Sequence, residues 1–284
     1  MTRCRRTSAP MSSGGSIRSP ACYCGVAGLK PTKGAISLDG VFPLSEDLDH
    51  VGPIGATVAD AAQMARAMGI SEAATRIGHS VDGMRIGYAR DWFAHDAATH
   101  PAVLAAMDQA MSDLSLRGAN IILTQLPDYA AMEAAGATIL QYQAYALHNA
   151  NLFHAGYGRQ ARQSLMLGAE ITKSQFAKAR KAAAQFQTEM SSILGQYNAV
   201  ATANVLSVAP PFTDFSDDHS VWTAMRTLPF NMTGHPALAV PIGFHKGLPL
   251  GMQLIAQEHQ EAALCQIGEA FERATDHSTQ LPQL

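Results

Sequence analysis

A strand, a helix and a second strand follow one another between residues 84 and 126, and this order constrains the fold more than any other feature of the sequence. Residues 84–88 (MRIGY) are a short strand candidate. Pro101 then opens a helix whose apolar residues recur three and four positions apart, and Gly118 ends it. The apolar stretch 119–126 predicts the second strand. This order is typical of a βαβ unit, so we expect a parallel strand pair with a right-handed crossover.

Elements of both kinds continue along the chain. The spacing of apolar residues predicts a helix over 57–68, with Thr57 as its cap, and a long amphipathic helix over 174–194. Residues 128–172 are predicted to be mostly helical, with a break near Gly156 and Gly158. The remaining candidates are strands over 199–206, 237–243 and 248–255 and a final helix over 260–274. We therefore expect an α/β fold with a mixed sheet flanked by helices.

The N-terminal region differs from the rest of the chain. Residues 1–13 (MTRCRRTSAPMSS) are polar and carry no periodicity, so we expect a disordered segment outside the domain. Residues 14–40 are rich in Gly, Pro and Ser, which favours tight, irregular backbone. The predicted domain then covers residues 14–284.

Charge and composition argue against several classes of protein. The 284 residues contain 20 Lys and Arg against 23 Asp and Glu, a net charge of −3, which is not the basic surface of a nucleic-acid-binding protein. No run approaches the ~18–20 apolar residues that span a membrane, and there is no signal-peptide pattern. The four cysteines do not form a disulfide framework, and the eleven histidines do not form a metal motif. We expect a cytoplasmic protein with no metal, no cofactor, no nucleic-acid partner and no membrane association.

The densest chemical signal is the sequence Gly14-Gly15-Ser16. Two glycines allow backbone conformations that other residues avoid, and they leave N–H groups free to bind an oxyanion. A serine at such a turn can attack an acyl carbon if another group takes its proton. By itself GGS is a weak signal, and it more often marks a flexible surface loop.

The residues around Ser16 resemble the signature of the amidase signature family. Between residues 14 and 53 the motifs GGSIR, PA, CG, GLKPT and LDHVGP occur in family order. The segments PFNMTGHPA (229–237), VP (240–241) and GLPLGMQ (247–253) are similar to late segments of the family pattern. The resemblance extends from residue 14 to about 275 and is weakest over 128–200.

This resemblance implies a fold, a reaction and a set of site residues. Family members hydrolyse carboxamide C–N bonds with a Ser–Ser–Lys triad through a serine acyl-enzyme, and Ser16 matches the nucleophile. The backbone N–H groups of Ser13, Gly14 and Gly15, with that of Ser16, match the oxyanion hole. Arg18, Asn231 and Gln253 match positions that contact substrate or brace the site.

Two departures from the family pattern affect the expected activity. The family's bridging serine and catalytic lysine lie upstream of the nucleophile, and the residues before Ser16 contain neither, so we expect a C-terminal, N-terminally truncated portion of the fold. The Asp of the family's GTDTGGS is replaced by Ser12. Lys30 and Lys33 are the nearest lysines after Ser16, and in the family the position of Lys30 belongs to a structural turn.

The sequence therefore leaves two functions open. The first is an amidase that acts on a small-molecule amide, with residues 128–200 lining the substrate pocket and with doubtful activity when the chain is alone. The second is a non-catalytic remnant or binding subunit that keeps the pocket without turnover. In either case, uncovered apolar surface predicts self-association or a homo-oligomer.

Overall fold

A mixed β-sheet forms the centre of the computed structural model, which describes residues 8–154, 156–215 and 223–280. The strands of this part of the chain are β1 (Met11–Ser12), β2 (Ala27–Lys30), β3 (His50–Val51), β4 (Ile54–Gly55), β5 (Arg85–Tyr88), β6 (Asn120–Leu123), β7 (Ala199–Ala203), β8 (Ala237–His245) and β9 (Leu248–Ile255). Seven of these described strands form the main sheet in the order β4-β2-β8-β9-β7-β5-β6, and β1 pairs with β3.

Helices cover both faces of the sheet. Within the described ranges they are α1 (Arg18–Tyr23), α2 (Val58–Ala67), α3 (Asp91–Ala94), α4 (Pro101–Leu116), α5 (Tyr129–His148), α6 (Arg159–Met166), α7 (Lys173–Leu194), α8 (Leu228–Met232) and α9 (Glu261–Ala274). Residues from α2, α4 and α9 form one apolar cluster with the sheet. Residues from α5, α7 and α8 form a second cluster. Strand β7 contributes to both, because Ala199 and Ala201 belong to the first cluster and Val200 to the second.

The predicted βαβ unit is confirmed. Strands β5 and β6 are parallel neighbours, with Ile86 opposite Ile121, and α4 connects them. The parallel neighbour on the other side of β5 is β7, and the remaining pairs of the main sheet are antiparallel. The sheet is therefore mixed, as expected for this α/β fold.

Most predicted helices are present within a residue or two of their expected bounds. The side chain of Thr57 accepts a hydrogen bond from the Asp60 amide and caps α2 as predicted. Helix α7 packs its predicted apolar face against the second cluster, with Ala179 and Met190 buried and Phe186 half-buried. None of the helices among the described residues is both long enough and apolar enough to cross a membrane.

The structure revises the expectations for the N-terminal region. Residues 14–40 contain α1 and β2 as well as irregular backbone. The sequence predicts disorder over residues 8–13, but Ser8 bridges to Ile54, and Ser12 pairs with His50. Backbone pairing thus holds this part of the segment against the domain. Residues 1–7 lie outside the described residues, and the prediction for them stays a prediction.

Candidate active site

Ser16 lies in a tight loop between β1 and α1. It is exposed, whereas its neighbours Gly15 and Ile17 are buried. Gly15 has φ +144°, and a Cβ at this position would lie 2.2 Å from the Thr227 hydroxyl oxygen. Both the backbone angle and the close approach therefore require glycine. The packed glycine holds Ser16 at a fixed place on the surface.

A cavity of about 850 Å³ opens beside Ser16. Residues 13–16 form one wall, and one face of α5 forms another. The other lining residues described are Ser19, Pro20, Tyr23, Leu44, Ser164, Leu165, Leu167, Thr223, Ala224, Met225 and Leu228. The predicted contribution of residues 128–200 to the pocket thus comes from α5 and from residues in and just after α6. Most of the side chains that line the cavity are apolar.

The backbone amides of the loop are free to different extents. Those of Ser13, Gly14 and Ser16 have no hydrogen-bond acceptor among the described residues. The Gly15 amide instead donates to the Ser12 hydroxyl oxygen at 3.1 Å. Three of the four N–H groups expected in an oxyanion hole are therefore available beside Ser16, and Gly15 is engaged by Ser12.

Arg18, Asn231 and Gln253 come together, but behind the loop. Nη1 of Arg18 donates to Oε1 of Gln253 at 2.7 Å, and Nη2 donates to Oδ1 of Asn231 at 2.5 Å. Nη2 also donates to the Thr227 carbonyl at 2.8 Å. All three predicted substrate-binding side chains are fully buried, and none lines the cavity. The expectation of substrate contact is therefore corrected, since burial leaves these groups only the bracing role.

Burial also determines the electrostatics of Arg18. Loss of solvation lowers the pKa of its guanidinium to about 9, so the group remains charged at neutral pH. Its Nε atom is buried without a hydrogen-bond partner among the described residues.

Asp49 is a site residue that the sequence reasoning missed. Its Oδ1 accepts a hydrogen bond from the Ser13 hydroxyl at 2.5 Å, and its Oδ2 accepts from the amides of Leu44 and Ser45. The sequence feature that could have identified Asp49 is the LDHVGP stretch, which contains it. Asp49 therefore anchors one end of the Ser16 loop to the segment before β3.

Neither lysine near the loop in sequence reaches Ser16. Lys30 is fully buried in β2, and its Nζ donates to the Pro31 carbonyl at 2.8 Å. Burial, followed by the charge of Arg18, holds the pKa of Lys30 well below its usual range. Lys33 donates to the Asp47 carbonyl at 2.7 Å. Neither lysine lines the cavity, and the Ser16 hydroxyl has no hydrogen-bond partner among the described residues.

Potential metal ligands are dispersed over the part of the chain that the structure describes. No cluster there brings together three or more His, Cys, Asp or Glu side chains that could hold a metal ion. The histidines are used locally instead. His148 lies 2.7 Å from the Tyr157 hydroxyl, and His235 lies 2.9 Å from the Ser191 hydroxyl.

Known proteins share this sequence and architecture. The amidase family model matches residues 12–265. A glutamyl-tRNA(Gln) amidotransferase subunit from Roseiflexus sp. (strain RS-1) is 32% identical, over 95% of this chain and 63% of its own length. The corresponding subunit from Moorella thermoacetica is 30% identical, with the same coverage. The chain thus spans slightly less than two thirds of the length of these relatives.

Solved structures agree with the sequence comparison. The crystal structure of an amidase superposes with a TM-score of 0.82 at 25% identity, over 94% of this chain and 62% of that one. The structure of a glutamyl-tRNA(Gln) amidotransferase subunit from Thermotoga maritima gives a TM-score of 0.76 at 27% identity, with the same coverage. The sheet order, the Ser16 loop and the match over residues 12–265 lead to one conclusion: the chain belongs to the amidase family.

Proposed function

We propose that Ser16 is the nucleophile of a carboxamide hydrolase. The observation that carries this proposal is an exposed serine, on a glycine-fixed loop with free amides, at the edge of a largely apolar cavity. An amidase needs these features, because the serine must reach the carbonyl carbon and N–H groups must stabilise the oxyanion.

The reaction has two steps. Oγ of Ser16 attacks the carbonyl carbon while its proton passes to a base, and the amides of Ser13, Gly14 and Ser16 hydrogen-bond to the oxyanion. The C–N bond then breaks, and the leaving nitrogen takes a proton, releasing ammonia or an amine. Water attacks the acyl-enzyme, releases the carboxylic acid and restores the Ser16 hydroxyl.

The described part of the site does not supply a base that could accept the proton of Ser16. No described lysine contacts the Ser16 hydroxyl, and Lys30 is committed to a backbone carbonyl. We propose that the lysine and the bridging serine belong to the portion of the family fold that these residues do not span. An unassisted serine hydroxyl is a weak nucleophile at neutral pH, so the 284 residues alone should turn over amides very slowly.

A binding subunit is the second candidate. The lack of a described base at Ser16 favours it, and the Roseiflexus and Moorella relatives are themselves subunits of an amidotransferase. In this case the cavity would hold an amide without cleaving it, and Ser16 would remain unreactive.

A fluorophosphonate probe distinguishes these functions. The chain would be incubated with the probe, alone and with a family N-terminal segment that carries the lysine and the bridging serine. Adduct formation at Ser16 that rises when the segment is supplied supports the amidase. The matched variant Ser164→Ala changes an exposed serine that lines the cavity outside the Ser16 loop and should still be labelled, whereas Ser16→Ala should not. No adduct under either condition would favour the binding subunit.

A further inference from the structure

One face of α5 forms a wall of the cavity beside Ser16. Tyr129, Glu133, Ala137, Leu140 and Ala144 lie on this face, because residues three and four apart on a helix point the same way. Among the described residues that line the cavity, Glu133 is the only carboxylate, and none is Lys, Arg or His. The described wall thus carries a single acidic group in largely apolar surroundings.

The carboxylate of Glu133 is incompletely hydrogen-bonded. Its Oε2 atom is buried and has no hydrogen-bond partner among the described residues. Burial raises the pKa of this carboxyl, while the neighbouring Tyr129 hydroxyl and the Arg226 charge oppose the shift. A buried acceptor without a donor is costly. Glu133 itself lines the cavity, so its carboxyl is the acidic group that a ligand there would meet.

The groups around Glu133 are already committed to other partners. The Tyr129 hydroxyl, one helical turn earlier, donates to the Met225 carbonyl at 2.9 Å. The Arg226 guanidinium stacks 3.7 Å from the centre of the Tyr129 ring and pairs with Asp96 at 2.5 Å. No ion pair to Glu133 forms within the described ranges. Glu133 therefore has no ion-pair partner among the described residues that a ligand cation would have to displace.

A chain of contacts connects the α5 wall of the cavity to the segment that follows Ser16. Ser19 lies one turn beyond Ser16 in the α1 segment, and its hydroxyl is 3.4 Å from the Met225 sulfur. Met225, through its carbonyl, holds Tyr129 next to Glu133. A substrate bound at Ser16 could therefore extend along this wall towards the Glu133 carboxylate.

We propose that Glu133 is a specificity-determining residue that accepts a hydrogen bond from a protonated amine of the substrate. The site then favours carboxamides that carry an ammonium group over neutral amides, and it disfavours amides that carry a carboxylate. This inference rests on the proposed function, since it assigns the substrate class of the same cavity. The cavity, at about 850 Å³, is large enough for such a substrate.

The proposal is tested without turnover by measuring, with titration calorimetry, the affinities of amide probes for the full chain carrying Ser16→Ala. Three probes of similar length are compared: ε-aminocaproamide, heptanamide and adipamate. A charge-assisted hydrogen bond should make ε-aminocaproamide bind about tenfold more tightly than heptanamide, with adipamate weakest. Equal affinities, a preference for adipamate or no binding of any probe would overturn the proposal.

A second variant assigns the preference to one side chain. Glu133→Gln should reduce the affinity for ε-aminocaproamide to that for heptanamide, because the charge is lost while the shape is kept. Glu170→Gln is the matched control, since Glu170 is exposed and does not line the cavity, and it should keep the preference. A preference that survives Glu133→Gln would assign it to another group and overturn the proposal. If Glu133→Gln fails to fold, the three-probe comparison decides the matter by itself.

These outcomes are separable from those of the proposed function. Failure of the fluorophosphonate to label Ser16 would count against the nucleophile and leave the measured ammonium preference intact. Conversely, labelling of Ser16 with no preference among the three probes would keep the amidase and remove the role of Glu133.

Discussion

Nη2 of Arg18 donates to the side-chain oxygen of Asn231 at 2.5 Å, across a sequence separation of 213 residues. Asn231 in turn donates from Nδ2 to the Ser12 carbonyl at 2.9 Å and to the Leu48 carbonyl at 3.1 Å. One buried amide therefore joins the segments on both sides of the Ser16 loop, and α8, which carries it, fixes the position of the loop.

Replacing Arg18 tests this bracing. Arg18→Lys keeps a long basic side chain, but a single amino group cannot reach the acceptors on Thr227, Asn231 and Gln253 together. Leaving buried acceptors unpaired should lower the free energy of unfolding by about 2–4 kcal/mol. Denaturant unfolding measures the loss, and Ser16 labelling should fall with it. Arg66→Lys, on the exposed side of α2, is the control. Equal stability of the two variants would contradict the bracing role.

Gly15 should not tolerate a side chain. Gly15→Ala places a methyl group 2.2 Å from Thr227 Oγ1 at φ +144°. We expect a loss of about 1–3 kcal/mol in the free energy of unfolding and strongly reduced Ser16 labelling. Gly34→Ala is the matched control, because Gly34 also has positive φ but nothing lies within 4 Å. If the two variants behave alike in both assays, the close approach to Thr227 is unimportant.

Phe186 should contribute moderately to stability. A fully buried phenylalanine typically costs ~3–5 kcal/mol when truncated to alanine, but Phe186 on α7 is only half-buried. We therefore expect Phe186→Ala to cost about 1–2 kcal/mol, scaled from that range by burial. Phe212→Ala is the control, since Phe212 is 95% exposed and should change little. An unchanged melting temperature for Phe186→Ala would show that this face of α7 contributes no packing energy.

Acid should weaken the fold through His235. Burial lowers the pKa of His235 from its usual 6.5 to about 4. Between these two pH values the His235 imidazole is protonated in the unfolded chain and neutral in the folded chain. The free energy of unfolding therefore falls as the pH drops from about 6.5 to about 4. The contribution of His235 is about 3 kcal/mol, and His235→Gln should make this part of the curve less steep. Urea unfolding across this pH range measures it, with exposed His95→Gln as the control. A curve of unchanged slope in His235→Gln would exclude this source.

Long regular elements are predictable from this sequence, and the short ones are not. The βαβ unit and α9 follow from apolar periodicity that persists over whole elements. Helix α1 has six residues and β1 has two, too few for a period to emerge. Tertiary packing rather than local propensity determines both elements.

The sequence predicts the special backbone of the Ser16 loop, but it does not predict the long-range contacts that hold this loop. Two glycines before Ser16 already imply special backbone angles, and Gly15 has one. The pairing of Ser13 with Asp49 joins positions 36 residues apart, and no local pattern encodes it. The family resemblance implies either substrate contact or bracing for Arg18, whereas its complete burial is visible only in the folded chain.

Ammonia release from a small-amide panel, by the chain with a family N-terminal segment that supplies the lysine and bridging serine, tests the central claim most directly. We predict turnover in the presence of the segment, a rate lower by several orders of magnitude without it, and loss of nearly all turnover in Ser16→Ala. Undiminished ammonia release by Ser16→Ala with the segment present would contradict the assignment of Ser16 as the nucleophile.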